Sequence, residues 1–197
     1  MAITYTNRKD RTYTLCRKLT KNGKFRYNFY SKPIGEPIDH IPEGYEIVES
    51  VNGRVSLSKI LPRLLLDEEI KIVESTLEKH PRSRRYCTEV KSNRITIYEQ
   101  LKPDFDLISK SASDDMGFTE SEIIKLYQFM DAKDTGEYVP VLKFVLRDSK
   151  QRLFVAYRMS LLTQKEEWIS ISIQKSIKEL ANTIIPRLGA IEFLNFY

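Results

Sequence analysis

Apolar positions along the chain alternate with polar ones in short runs, and in a few longer stretches they recur at helical spacing. Residues 12–19 and 25–31 are rich in Thr, Tyr, Phe and Leu and flank Asn22-Gly23. Asn-Gly supplies the positive φ angles of a type I′ turn, so this spacing predicts a β-hairpin over 12–31. Alternation places Tyr13, Leu15 and Arg17 on one face of its first strand. It places Phe25, Tyr27 and Phe29 on one face of the second, with Arg26, Asn28 and Tyr30 opposite. A loop over 33–44, marked by three prolines and two glycines, leads to a second hairpin at 45–49 and 54–57 around Asn52-Gly53.

Ile70, Val73 and Leu77 form an apolar stripe that predicts a helix over 67–79, with Asp67 as its cap and Glu68 and Glu69 at its positive end. Pro81 closes it. A third hairpin follows at 85–91 and 94–100, turning at Ser92-Asn93. Residues 101–117 are polar and acidic and read as a connector. Thr119 and Glu122 form a capping box that opens a second helix. Strands are then expected at 139–147, 152–159 and 168–173, a helix from about 174 to 185, and a docking tail at 191–197. Hairpins interrupted by helices predict an α+β fold: antiparallel β-hairpins and meander sheets with about three helices. It divides into an N-terminal hairpin-rich part, 1–100, and a C-terminal α+β part, 118–197.

Composition leaves this picture unchanged: 41% hydrophobic and 30% charged residues are those of a globular chain. No apolar run reaches the roughly 18 residues of a membrane span, and Met1–Tyr5 has no apolar core of the kind that would suggest secretion. Two cysteines, Cys16 and Cys87, fit reduced thiols and a cytoplasmic protein.

Charge does change it. Residues 1–35 hold nine Lys/Arg and one acid, Asp10, a local net charge of +8 within a chain of net +5. Residues 101–135 are net −4. Such asymmetry speaks to partners rather than to fold. In the hairpin Arg17, Lys18, Lys21, Lys24 and Arg26 lie beside Tyr27 and Tyr30. Lys79, Arg82, Arg84 and Arg85 form a second basic cluster between helix and strand. Cations neutralise phosphates while exposed rings stack on unpaired bases, so these residues predict contact with nucleic acid. The same surface suits an acidic protein partner, which would make the chain an adaptor or subunit of a larger assembly. Cationic edge strands also guard against aggregation.

Catalytic motifs are sparse. Neither a P-loop nor a G-x-G-x-x-G is present, and His40 and His80 stand in separate loops with no zinc-ligand spacing; a surface position is expected for His80, beside Pro81. No cofactor is expected. Glu89 and Lys91, two apart on one strand, reproduce the E-x-K half of a metal-dependent nuclease; an Asp on a neighbouring strand is lacking, and the next strand offers Glu99. The bland reading is a solvent-facing ion pair beside a turn.

The run TYTNRKDRTYTLCRKLTKNGKFRYNFYSKP, followed by IPEGYEIVESVNGRVSL, resembles the opening of a set of bacterial proteins, and DEEIKIVESTLEKH, RITIYEQ and the later LKFVLRD and EWISI extend the resemblance. It implies that residues 1–197 form a standing unit, and it brings no activity, cofactor or site residue.

Overall fold

The computed structural model describes residues 1–101, 119, 137–160, 167–190 and 193. Within them the chain forms three antiparallel sheets and two helices of eight residues or more. The first sheet contains β1 (Thr4–Thr6), β2 (Thr12–Leu19), β3 (Phe25–Tyr30) and β4 (Glu36–Pro37). β2 is its hub: it pairs with β3 along one edge, and with β1 and then β4 along the other. β5 (Tyr45–Glu49) and β6 (Val55–Lys59) form a separate two-stranded ribbon.

Both Asn-Gly hairpins form, but the first does not close on the expected type I′ turn, and the second closes as the first does. Gly23 N–H bonds Thr20 O at 3.0 Å and Gly53 N–H bonds Ser50 O at 2.8 Å. Only the glycine of each pair has positive φ, +70° and +76°. Each loop is therefore a type I turn closed by a left-handed glycine, the three-residue hairpin that adds a bulge and increases twist. The same geometry recurs between β1 and β2, where Asp10 takes φ 55° and Asn7 Oδ1 accepts from Lys9 and Arg11 N–H.

The third sheet holds most of the core. Its order is β11 (Trp168–Ser170), β10 (Leu153–Met159), β9 (Glu137–Asp148), β8 (Arg94–Leu101), β7 (Tyr86–Lys91). β8 and β9, which stand on either side of the expected 101–117 connector, are neighbours here. Of that connector only Leu101 lies within the described residues. One face carries Ile95, Ile97, Leu142, Phe144, Phe154 and Ala156, all without solvent exposure. Against it pack α1 (Asp67–Glu78), through Ile70, Val73 and Leu77, and α2 (Ile177–Ile184), through Ile177, Leu180, Ala181 and Ile184. A single fully buried leucine or phenylalanine contributes about 1.5–3 kcal/mol, so this two-layer core outweighs any one surface interaction.

The helix boundaries correct two expectations. Leu66, not Asp67, holds the N-cap position of α1; its N–H donates to Glu69 Oε2 at 2.9 Å, while Asp67 is the first helical residue and pairs with Arg63. α2 starts three residues later than expected. Lys175 bridges to Phe154 through two backbone hydrogen bonds, and Ser176 then caps the helix in a reciprocal box with Glu179. The helix expected from Thr119 lies outside the described residues, as does the tail apart from buried Phe193.

Candidate functional site

Strand register decides which predicted cations share a face. In the first hairpin Lys18 stands opposite Arg26, Cys16 opposite Asn28 and Thr14 opposite Tyr30. Arg17 stands on the other face, opposite Tyr27, with Leu15 opposite Phe29. Lys18, Lys21, Lys24 and Arg26 are exposed, and none makes an ion pair among the described residues. Tyr27 and Tyr30 are half-buried, whereas Phe25 is 52% exposed. Arg17 differs. Its guanidinium forks onto Glu36 at 2.8 and 2.9 Å and lies 4.8 Å from the Phe25 ring centroid. That bidentate bond holds the Glu36 carboxyl below its usual range. Arg17 thus ties β4 to β2, and the free charge of the hairpin belongs to the other four.

The second basic cluster is divided the same way. Arg82 donates to Gly189 O at 2.8 Å and so holds the turn after α2. Arg85 pairs with Glu99 at 3.4 Å and is half-buried. Lys79 and Arg84 remain exposed. His80, expected at the surface beside Pro81, is buried: its ring meets Tyr86 edge-on at 5.1 Å and its Nδ1 accepts the Arg82 N–H at 3.1 Å. Burial holds its pKa below the ordinary histidine value. The same surroundings push the Tyr86 phenol up to about 12.

Glu89 and Lys91 do share one face of β7, as their spacing requires, and they pair with each other at 2.9 Å. The Tyr98 hydroxyl also donates to Glu89, at 3.0 Å, and burial together with that carboxylate raises the Tyr98 pKa. Glu99 is aligned with Tyr86 in the register, on the opposite face of the sheet from Glu89. Glu137 lines the same recess as Glu89, but no three metal-capable side chains converge among the described residues. The carboxylate of the E-x-K pair is occupied by its own lysine and by a phenol.

Pairing of distant strands creates a feature that spacing along the chain could not show. The sheet face away from the helices contains a recess of about 370 Å³ lined by residues of β7, β8, β9 and β11. Lys143 stands in it, with its Nζ 4.0 Å from the Trp168 ring centroid and 5.3 Å from that of Tyr157. Lys91 and Arg94 border it, and Arg147 lies over Tyr157 at 5.5 Å and donates to the Tyr157 hydroxyl. Asn52, at the tip of the β5–β6 ribbon, forms the rim. Its side-chain amide bonds both backbone groups of Tyr138, at 2.9 and 2.7 Å, as a neighbouring strand would. The sequence cues to the recess were the Glu89–Lys91 pair, which lines it, and alternation in 139–147, which puts Lys143 and Arg147 on one face.

The chain matches no family model, no curated protein and no solved structure. No helix among the described residues is long and apolar enough to cross a membrane.

Proposed function

We propose that the protein is a non-catalytic binding protein that contacts nucleic acid through its N-terminal hairpin. The observation that carries this reading is the placement of Lys18 directly across from Arg26, with Lys21 and Lys24 at the adjoining turn, all exposed and without acidic partners among the described residues. Like charges directly opposite destabilise a ribbon. A sheet gains nothing from such a pair, whereas a phosphate chain gains counterion release from each cation. Phe25, 52% exposed beside the same turn, lies on the Arg17 face with that guanidinium over one side of its ring, so only its outer side is open to an unpaired base. Lys79 and Arg84 are the members of the second cluster left over for phosphate contact.

Fluorescence anisotropy with labelled single- and double-stranded DNA and RNA, at two salt concentrations, tests the reading. Binding is expected to weaken steeply with salt. Reversal of Lys18, Lys24 and Arg26 to Glu should lower affinity by at least about tenfold and flatten the salt slope by roughly 0.7–0.9 per lost phosphate contact. A protein that ignores all of these ligands at low salt does not work this way.

A second reading has its own support. Ile60, Leu61, Leu64 and Leu66 leave a run of exposed apolar side chains before α1, from 46 to 62% exposed. Such a run marks protein contact, and an adaptor could combine it with the cationic hairpin against an acidic partner. Co-purification that survives nuclease and is lost in the Leu61→Ser/Leu64→Ser variant would favour the adaptor over the nucleic-acid reading.

A further inference from the structure

The Lys143 recess stands apart from the hairpin and from every residue assigned above to nucleic-acid contact. Three cations line it from three adjacent strands: Lys91 on β7, which Glu89 holds, Arg94 on β8 and Lys143 on β9; Arg147, further along β9, adds its charge to that of Lys143. Arg94, Lys143 and Arg147 have no carboxylate partner among the described residues. The two acids that line the recess are Glu89, already paired with Lys91 and Tyr98, and Glu137. Burial first, and then the charges of Arg94 and Arg147, hold the Lys143 amine below its usual pKa. Its contacts with Trp168 and Tyr157 offset part of that cost. A half-buried ammonium flanked by two guanidiniums is where an anion gains most, because it relieves repulsion as well as supplying attraction. The indole adds a flat wall for a planar ring, and the recess volume of about 370 Å³ falls within the range of small-ligand sites.

We propose that this recess is a binding site for a phosphate group carried beside a planar ring, with Lys143 and Arg94 as the charge partners of the phosphate and Trp168 as the wall against the ring. A free mononucleotide and one unit of a single-stranded nucleic acid share this chemistry. The proposal does not rest on the hairpin reading. The opposing view is that Lys143 is only a packing element between two rings, in which case the recess has no response to anions.

Trp168 is the single tryptophan of the chain, so tryptophan emission, excited beyond the absorption of the tyrosines, reports from this site alone. The full chain is titrated at low salt with inorganic phosphate, adenosine monophosphate and a short oligothymidylate, and each titration is repeated by calorimetry. A saturable emission change with the mononucleotide assigns a free monoester; one with the oligonucleotide alone assigns a chain phosphodiester. In either case Arg94→Gln, which removes an exposed charge, and Lys143→Gln should each weaken binding at least about tenfold, or 1.4 kcal/mol. The Lys18→Glu/Arg26→Glu variant should bind the mononucleotide unchanged, which separates failure of this site from failure of the hairpin. Equal affinity for inorganic phosphate and the mononucleotide would remove Trp168 from the site. No saturable response to any probe up to about 10 mM, a concentration above the weakest useful affinities, or full binding by both recess variants, would overturn the proposal.

Discussion

The N-terminal sheet and the five-stranded sheet are both antiparallel, but they use cations in opposite ways. The five-stranded sheet buries one face under two helices, and the basic residues around that buried face are tied to partners. Arg152 reaches across from the β9–β10 turn to Glu69 on α1, with Nε–Oε1 at 2.9 Å and a second bond to Oε2; Arg85 holds Glu99; Arg82 holds the turn at Gly189. The N-terminal sheet has few buried side chains, chiefly Leu15, Cys16 and Ile38, and of its hairpin cations only Arg17 has an acidic partner among the described residues. Charge that a fold uses is paired and half-buried. Charge left exposed and opposed to its own sign is available for something else.

The widest gap between the two regions is in core truncation. Phe144→Ala empties a site sealed by both helices and should cost about 3–5 kcal/mol of global stability. Leu15→Ala removes a side chain equally buried but set in a small cluster that can collapse, so its cost should fall at the low end of the range for leucine, about 2–3 kcal/mol. Urea unfolding followed by circular dichroism measures both. Equal losses would mean that the N-terminal sheet has a core as rigid as the larger one, and the contrast would break.

Next in size is the Glu69–Arg152 pair. Glu69 is buried, caps Leu66 and accepts from two of the three Arg152 guanidinium nitrogens, Nε and Nη2. Arg152→Met strands that carboxylate and should cost about 3 kcal/mol, while Glu69→Gln in the same chain should recover part of the loss. A double mutant no more stable than Arg152→Met alone would show that the cation contributes packing rather than charge.

Asn52 measures how firmly the two regions are joined. Its two hydrogen bonds to Tyr138 connect the β5–β6 ribbon to β9, and the ribbon is joined in turn to β1 and its turn through Tyr5 and Arg8 on Glu49 and Asn7 on Gly53. Asn52→Ala should cost about 1–2 kcal/mol. Hydrogen exchange should then rise in β5 and β6 while β9 stays protected; uniform acceleration would point to a single cooperative body.

How much of this the sequence reveals depends on distance along the chain. The Asn-Gly turns, the Ile70–Val73–Leu77 stripe and the Ser92-Asn93 hairpin are readable because each is settled by φ/ψ preference and periodicity within about 15 residues. Turn geometry was the local failure. Asn-Gly permits both the type I′ and the type I-plus-bulge closure, and the register Leu19↔Phe25, which leaves five residues between the strands, selects the second. The remainder is non-local. Nothing in the spacing announces that β8 pairs with β9 across the 101–117 connector, that Glu69 meets Arg152 across 83 positions, or that Lys143 meets Trp168. Those contacts follow from which sheet faces the helices cover, and the fates of Arg82 and Arg85 were hidden for the same reason.

The smallest expected change in stability is the one that bears most on function. If the exposed hairpin cations serve no structural end, Lys18→Glu/Arg26→Glu should leave the unfolding midpoint within about 0.5 kcal/mol of the parent. Its single-residue components offer a finer comparison. Lys18→Glu alone replaces a repulsive cross-strand pair with an attractive one opposite Arg26 and should stabilise by a few tenths of a kcal/mol, up to about 1. Arg17→Glu, by contrast, breaks the fork onto Glu36 and sets two carboxylates together, so it should destabilise although it sits on the adjacent residue. Thermal unfolding of the two variants side by side reads the difference. A sheet stabilised by Lys18→Glu yet carrying lysine in the natural chain holds that lysine against its own folding interest, which is the pattern of a surface kept for a partner. Destabilisation by Lys18→Glu would instead make the hairpin charges part of the fold, and the N-terminal sheet would then use its cations as the larger sheet does.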